Sequence, residues 1–531
     1  MNTFKTNKGM LLCLLSGTLY GLSWPLFSGI NLSFLAWGAF VPLLIFLEKH
    51  RGQFWKSMAG SYLAMVVFGC FSAGWLFNFP EGKLNIAVIF FAEEFWITMP
   101  FLPFFLLQRR IGFDRALWML PLLWMLWEWI YLGLEFTMGT HLSAYSQSGN
   151  PWLIQFIDIT GMWGLSAWLM LFNVLLFKAF KSAGYRIRST EFIKKTAFIA
   201  LAMLCIPVLY STYAYQRASK QSQAALKVTL VPTQFPASEL SNPQNFVRII
   251  EETLHRSDSL AFYMADIGQF SDLYLWPETG VPYQLAYSNL GSLLFEAVSD
   301  WQGALLTGCR GVPGIQDTLD KRTYVSGVLL SHKNSAPEFH HKTILTPGHE
   351  VIPYHHWLAR IPGFPVAETS PRFHRKGTQT EPLELVTRDA RKFNVGVSLC
   401  FEQWYPEVWT KTTQHGADLF VHLAGEGWYG NVGFQAFMAN VTRMRCIENR
   451  RQAARCANVG LSMFIDETGG IHHQSKPGSL QSATADVTAL KTRTFYSDHP
   501  SWFPVAGMLF LLGLLGYFKF FPSALTHSPK S

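Results

Sequence analysis

Apolar and polar positions follow two different patterns along this chain, and the change falls near residue 220. Before it, long apolar runs are cut by short polar loops. They predict helices at about 10–27, 32–47, 57–77, 84–107, 116–134, 161–180 and 196–215. A bilayer-spanning helix needs roughly 20 apolar residues, and several of these runs are near or slightly under that length. After residue 220 the runs shorten and turn β-like, at 227–232, 273–276, 303–308, 324–331, 392–399, 418–423 and 461–466. Helical stretches at 245–267 and 435–451 lie among them. Strands alternating with helices predict a layered α/β or α+β domain. An eighth apolar run, 503–518, follows that domain. The predicted organisation is a membrane domain at 1–220, a folded domain at 221–495, and a last helix with a tail at 496–531.

The loops add an orientation. Lys5 and Lys8 precede the first run, and Lys49, Arg51 and Lys56 lie between the second and third. Arg109, Arg110 and Arg115 lie between the fourth and fifth, and Lys178, Lys181, Arg186, Arg188, Lys194 and Lys195 between the sixth and seventh. The alternate loops hold only Lys83, a bias of fourteen to one. Under the positive-inside rule both termini are cytoplasmic and the folded domain lies on the outer side. Arg217 and Lys220 run against the rule, but they adjoin a large domain, where it weighs less. The first run lacks a small-x-small cleavage site and does not read as a signal peptide.

Composition agrees with this. The 531 residues are 49% hydrophobic, 15% aromatic and only 15% charged, against about a quarter charged in soluble domains. The net charge of +8 is largely explained by the loops, so nucleic acid is not an expected partner. Seven cysteines show no CxxC and no metal-type spacing. In an oxidising space, Cys309, Cys400, Cys446 and Cys456 are disulfide candidates.

Three stretches could carry chemistry. "SLCFEQWYPE" places Cys400 at the end of a β-type run, where it reads as a core thiol, half of a disulfide, or a nucleophile. "LYLWPET" ends a strand on Glu278, a turn acid or a catalytic carboxylate. "HHKTILTPGHE" holds Lys342 between histidines and an apolar run, as a solvated base or a fixed charge beside an oxyanion. Taken together, Glu278 could accept the thiol proton, Cys400 attack a carbonyl, and Lys342 stabilise the oxyanion. Glu93, Glu94 and Glu128 fall within apolar helices, where acids are functional or structural polar contacts.

These residues carry a resemblance. "LWPETGVP", "HKTILTPGHEVIP", "VSLCFEQWYPE", "GWYGNVGF" and "RMRCIENRRQAARCANVGLS" resemble the nitrilase, or carbon–nitrogen hydrolase, superfamily, with its Glu-Lys-Cys triad in this chain order. With "LSWP" and "HLSAYSQSGNPWLIQFIDITGMWGLS" in the apolar half, nearly the whole chain resembles the membrane-bound apolipoprotein N-acyltransferase branch. The resemblance implies an αββα sandwich on a helix bundle of seven plus one. It implies Glu278 as general base, Lys342 as oxyanion stabiliser and Cys400 as the acyl-carrying nucleophile, supported by Glu350, Glu402 and Phe401. The implied reaction passes an acyl chain from a phospholipid, through a thioester, to the α-amino group of a diacylglyceryl-cysteine on an apolipoprotein. It implies no cofactor or metal, a monomer, and a bacterial inner-membrane location with a periplasmic catalytic domain. Rival readings are a membrane-anchored amidase that gives the thioester to water, and a non-catalytic lipoprotein-binding paralogue. The chain departs from the family pattern at Phe401 (usually Tyr), at Ala424-Gly425-Glu426-Gly427-Trp428-Tyr429-Gly430, at Phe437-Met438 (usually Gln-His), at 233–240 (a Trp missing) and at Trp129-Ile130 (an Arg missing).

Overall fold

The computed structural model describes residues 2–26, 30–78, 82–218, 224–240, 242–278, 281–282, 289–313, 322–334, 336–361, 373–427, 430, 432–476 and 478–520. Lys220, Thr279, Gly280, Trp428, Tyr429, Asn431 and the tail from 521 fall outside these. The chain forms two compact units, Met1–Ala214 with His499–Ser531, and Tyr215–Asp498.

The first unit is helical. Its elements are α1 (Asn2–Leu22), α2 (Val41–Lys49), α3 (Phe54–Ser72), α4 (Lys83–Ile97), α5 (Phe101–Ile111), α6 (Phe113–Leu132), α7 (Ile157–Ser182), α8 (Thr190–Ala218) and a last helix, Trp502–Phe520. Four segments among the described residues are long and apolar enough to cross a bilayer: Phe54–Ser72, Ile86–Ile111, Ile157–Ser182 and Thr190–Ala218. Lys8–Leu22 and Trp502–Tyr517 are shorter apolar helices. Two expected helices are interrupted. The run at 32–47 becomes a 3-10 turn, Ser33–Trp37, and then α2, which restarts with Pro42 in its first turn. Proline fits there because its missing N–H has no helical acceptor to lose. The run at 84–107 breaks between α4 and α5, at Thr98–Met99–Pro100, where proline cannot continue the hydrogen-bond ladder.

The helix acids have partners. One Glu128 oxygen accepts from Ser143 N at 2.7 Å, Ser143 Oγ at 2.6 Å and Trp124 Nε1 at 2.8 Å. It thereby ties α6 to the turn Ser143–Gln147. Glu93 accepts from the Tyr131 hydroxyl. His141 stands between the two other acids, 3.6 Å from Glu93 and 3.9 Å from Glu94.

The second unit is two sheets packed face to face. One has the order β13-β1-β2-β4-β5-β6, with β3 beside β4: β1 (Ala225–Leu230), β2 (Leu273–Leu275), β3 (Val281–Pro282), β4 (Ala304–Pro313), β5 (Thr323–Ser331), β6 (Glu338–His341) and β13 (Ala483–Thr488). The other has the order β12-β11-β10-β9-β8-β7: β7 (Leu383–Val386), β8 (Lys392–Leu399), β9 (Leu419–Gly425), β10 (Ala453–Asn458), β11 (Met463–Ile465) and β12 (Ile471–Gln474). Side chains alternate across each strand. Leu273, Leu275, Leu306, Val395, Val397, Leu399, Val421 and Leu423 fill the space between the sheets. Tyr274, Trp276 and Leu305 point the other way, under the helices Phe246–Asp266 and Asn289–Trp301. On the far side, Trp409 of the helix Pro406–Gln414 packs edge-on against Phe420 of β9, with ring centroids 4.7 Å apart. This is a four-layer αββα sandwich with parallel pairs at its centre, β1–β2–β4 in one sheet and β8–β9–β10 in the other.

Candidate active site

Glu278 and Cys400 both follow the C-terminal ends of central parallel strands, one in each sheet. Glu278 leaves β2 through Trp276, whose amide donates to Leu306 O at 3.1 Å. Its backbone lies directly on Gly308 of β4. A Cβ there would meet Glu278 O at 1.8 Å and Glu278 Cα at 2.4 Å.

Cys400 ends β8 at a sharp bend into the 3-10 helix Cys400–Trp404. Its φ is 43°, a left-handed conformation that a residue with a Cβ adopts at a cost. Surrounding contacts hold it there. The thiol is buried and donates to Gly425 O at 4.0 Å.

Lys342 follows β6, with its amide donating to Val325 O of β5 at 2.8 Å. Its ammonium is buried and donates to Glu278 Oε1 and Glu350 Oε1, both at 3.0 Å. The other Glu350 oxygen accepts from Thr346 N at 2.8 Å. Glu402 is a strap between the two sides. One oxygen accepts from Leu399 N at 2.8 Å, immediately before the thiol. The other accepts from Thr343 N at 2.6 Å, Thr343 Oγ1 at 2.8 Å and Ile344 N at 3.2 Å, immediately after Lys342.

The electrostatics follow from burial and pairing. Burial alone would lower the Lys342 ammonium, but Glu278 and Glu350 outweigh it and hold it above its ordinary value. Burial would raise Glu350, but Lys342 and the Thr346 amide bring it well below the usual carboxylate range, with help from Arg310 of β4. Burial raises Glu402, against the pull of its donors and of Lys342. Burial raises the Cys400 thiol, Glu278 adds to the rise, and Lys342 opposes it. The balance of these influences favours the neutral thiol.

The structure thus brings Glu278, Lys342, Cys400, Glu350 and Glu402 into one buried cluster. Phe401 is buried beside the thiol and packs on Tyr405, with centroids 5.5 Å apart. The neighbouring histidines play other parts. Burial lowers His340 to about 4, and His341 bonds Ser326 Oγ at 2.7 Å. Among the described residues no group of three or more His, Cys, Asp and Glu could hold a metal ion. All seven cysteines are free thiols, so the disulfide candidates are not paired. Burial pushes Cys309 and Cys456 up to about 12, the direction expected of core thiols.

Two departures are absorbed by packing. Phe437 and Met438 are fully buried, and Phe437 packs on Trp404 at 5.1 Å. Glu426 is buried against the Arg455 guanidinium, so the lengthened acid meets a charged partner. Sequence reasoning gave no part to Arg310, Gly308 or Arg455. The parts of Gly308 and Arg310 depend on the strands beside them, and Arg455 lies in a quoted stretch, on a strand that the pattern did not reveal.

Two family models match the chain: "Apolipoprotein N-acyltransferase N-terminal domain" over residues 16–175 and "Carbon-nitrogen hydrolase" over residues 240–495. The apolipoprotein N-acyltransferase of Chlorobaculum tepidum is 30% identical, over 95% of this chain and 96% of its own. That of Geobacter metallireducens is 25% identical, over 94% and 93%. Among solved structures, Saccharomyces cerevisiae Nit3, a nitrilase-superfamily protein, covers 50% of this chain and 91% of its own at 17% identity and a TM-score of 0.34. The chain belongs to the apolipoprotein N-acyltransferase family, and it is an acyltransferase with a carbon–nitrogen hydrolase domain and a helical, membrane-type N-terminal region.

Proposed function

We propose that Glu278, Lys342 and Cys400 carry the acyl transfer, and that one observation bears most of the weight: a single buried ammonium held by two carboxylates, electrostatically coupled to the thiol. Glu278 takes the Cys400 proton as the sulfur attacks the ester carbonyl of a phospholipid. The carbonyl oxygen gains negative charge. Lys342 balances it, and so does the amide of Phe401, in the first turn of its 3-10 helix, where N–H groups lack an intrahelical acceptor. Collapse breaks the ester bond, and Glu278 returns the proton to the departing lysophospholipid alkoxide. The thioester then meets the α-amino group of a diacylglyceryl-cysteine. Glu278 accepts a proton from the amine, an amide forms, and the sulfur leaves and is reprotonated. Glu350 keeps Lys342 in place, and Glu402 fixes the distance from the Lys342 segment to the Cys400 turn.

The reading includes a location. Seven crossings before residue 220 and one after residue 496 place the domain at 221–495 outside the inner membrane, facing the periplasm, with both termini inside. The fourteen-to-one loop bias supports it. A lipid donor and a lipid-anchored acceptor both reach such a site from the bilayer, and one copy of the chain carries the whole set of groups.

The test is intact-protein mass spectrometry after mixing the purified chain with phospholipid, wild type beside Cys400→Ala. The expected result is a fatty-acyl mass on the wild type alone, discharged when a diacylglyceryl-cysteine peptide is added. An adduct discharged as fast by water favours the amidase. No adduct with any phospholipid overturns the assignment in favour of a non-catalytic protein.

A further inference from the structure

The first unit holds an open apolar groove with a basic rim. A groove of about 410 Å³ opens between the N-terminal half of α6, the last turns of α7 and the first turns of α8. Its wall includes Trp118, Phe198 and Ile199, and its rim carries Lys178, Lys194 and Lys195. The groove exists because α8 is tied to α7 at separated points. Lys195 Nζ donates to Ser182 Oγ at 2.8 Å, Trp168 Nε1 to Met203 O at 3.2 Å, and Tyr210 OH to Asp158 Oδ1 at 2.8 Å. Elsewhere α8 is mostly exposed, with Phe198 and Leu201 about 70% open at 71% and 69%. In a membrane-type helix, such side chains face hydrocarbon.

Charge decides what the groove would take. Lys181, one turn from Lys178, is already committed to Glu48 at 2.7 Å and Asp114 at 2.9 Å. Lys195 shares its charge with Glu191 at 2.7 Å. Lys178 and Lys194 pair with no carboxylate among the described residues. Lys178 instead lies over the Trp118 ring, 5.0 Å from its centroid. Ammonium groups gathered at the mouth of an apolar trough, with Arg186 and Arg188 in the adjoining loop, match a phosphodiester on an acyl chain. A free phosphate would leave the trough empty, and a neutral lipid would leave the lysines unmatched.

We propose that this groove binds an anionic glycerophospholipid, with the phosphate at Lys178, Lys194 and Lys195 and an acyl chain along Trp118, Phe198 and Ile199. The lipid is not the acyl donor. It occupies a site made wholly of first-unit residues, and it seats α8, the helix that leads into the second unit. The proposal is independent of the assignment of Cys400.

The test uses the full chain in detergent, in a Cys400→Ala background so that no lipid is consumed. Native mass spectrometry compares phosphatidylglycerol with phosphatidylcholine of the same acyl chains. The expected preference for phosphatidylglycerol is about tenfold or more. The triple Lys178→Gln, Lys194→Gln, Lys195→Gln variant should lose that preference. The corresponding triple Arg variant should keep it, which separates lost charge from lost folding. Phe198→Ala should weaken phosphatidylglycerol binding while inorganic phosphate fails to displace it. Equal retention of the two lipids, an unchanged preference in the Gln variant, or displacement by inorganic phosphate would overturn the proposal.

Discussion

Cys400 combines a left-handed backbone, burial and a raised thiol, so the proposed mechanism has its reactivity created during turnover. In that mechanism the proton leaves when Glu278 and a bound ester are both in place. Alkylation of Cys400 by iodoacetamide in the lipid-free enzyme should therefore be slow at neutral pH. It should rise roughly tenfold per pH unit up to about pH 9. A plateau starting near pH 7 would mean a preformed thiolate and contradict this. Glu350 gives a second expectation at this scale. Its folded-state value is depressed, so its contribution to stability is present above the ordinary glutamate value and lost as pH falls through the depressed one. The gap in thermal midpoint between wild type and Glu350→Gln should narrow as pH drops from about 5 to 3. A gap that stays constant would show that Glu350 is not held by Lys342. Glu278, Lys342 and Cys400, which the structure gathers in one cluster, stood out in the sequence as an acid, a base and a thiol at the ends of β-type runs. Gly308 did not, because its part depends on the strand beside it.

The elements show the same division. β2, β5, β8 and β9 are rich in Val, Leu and Phe and were readable as strands. β10, Ala453–Asn458, is fully buried yet reads AARCAN, without the Val and Ile run that marks a buried strand, because one of its buried places is taken by Arg455, paired with the buried Glu426. β13 and β7 are short partners of strands that the sequence did reveal, and pairing makes them. The expectation of one helix at 32–47 gave way to a 3-10 turn and a shorter helix that restarts at Pro42, whereas the run at 84–107 stays one apolar span with a turn at Pro100, an interruption that hydropathy alone does not show. Within the sandwich, the contact between Gly308 and Glu278 offers a test of strand-level precision. Gly308→Ala adds one methyl group against the Glu278 backbone, which must shift to admit it. Acyl-enzyme formation should fall by about a hundredfold, because small misplacements of a catalytic group are that costly. The protein should remain folded by circular dichroism. Full activity in the variant would mean that Glu278 is free to shift and is not the base.

For the whole molecule, the basic loops predict which side each junction faces. Alkaline phosphatase fused after residue 218 should be active, and after residue 188 inactive, with the reverse for green fluorescent protein. Activity at both junctions would break the seven-crossing reading. Loop charge is a global quantity that sequence displays directly, which is why an orientation can be proposed from the chain alone. The groove beside α8 was not, because it arises where three helices fail to close.

The seven free thiols carry one more consequence. A cysteine oxidised to a sulfenic acid is rescued most simply by a neighbouring thiol that condenses with it. Cys309, Cys446 and Cys456 are locked in the core, and Cys13, Cys70 and Cys205 belong to the other unit. Within its own unit, no other thiol is paired with Cys400. With no thiol of that unit bonded to it, we expect repair of an oxidised Cys400 to depend on reductants from outside.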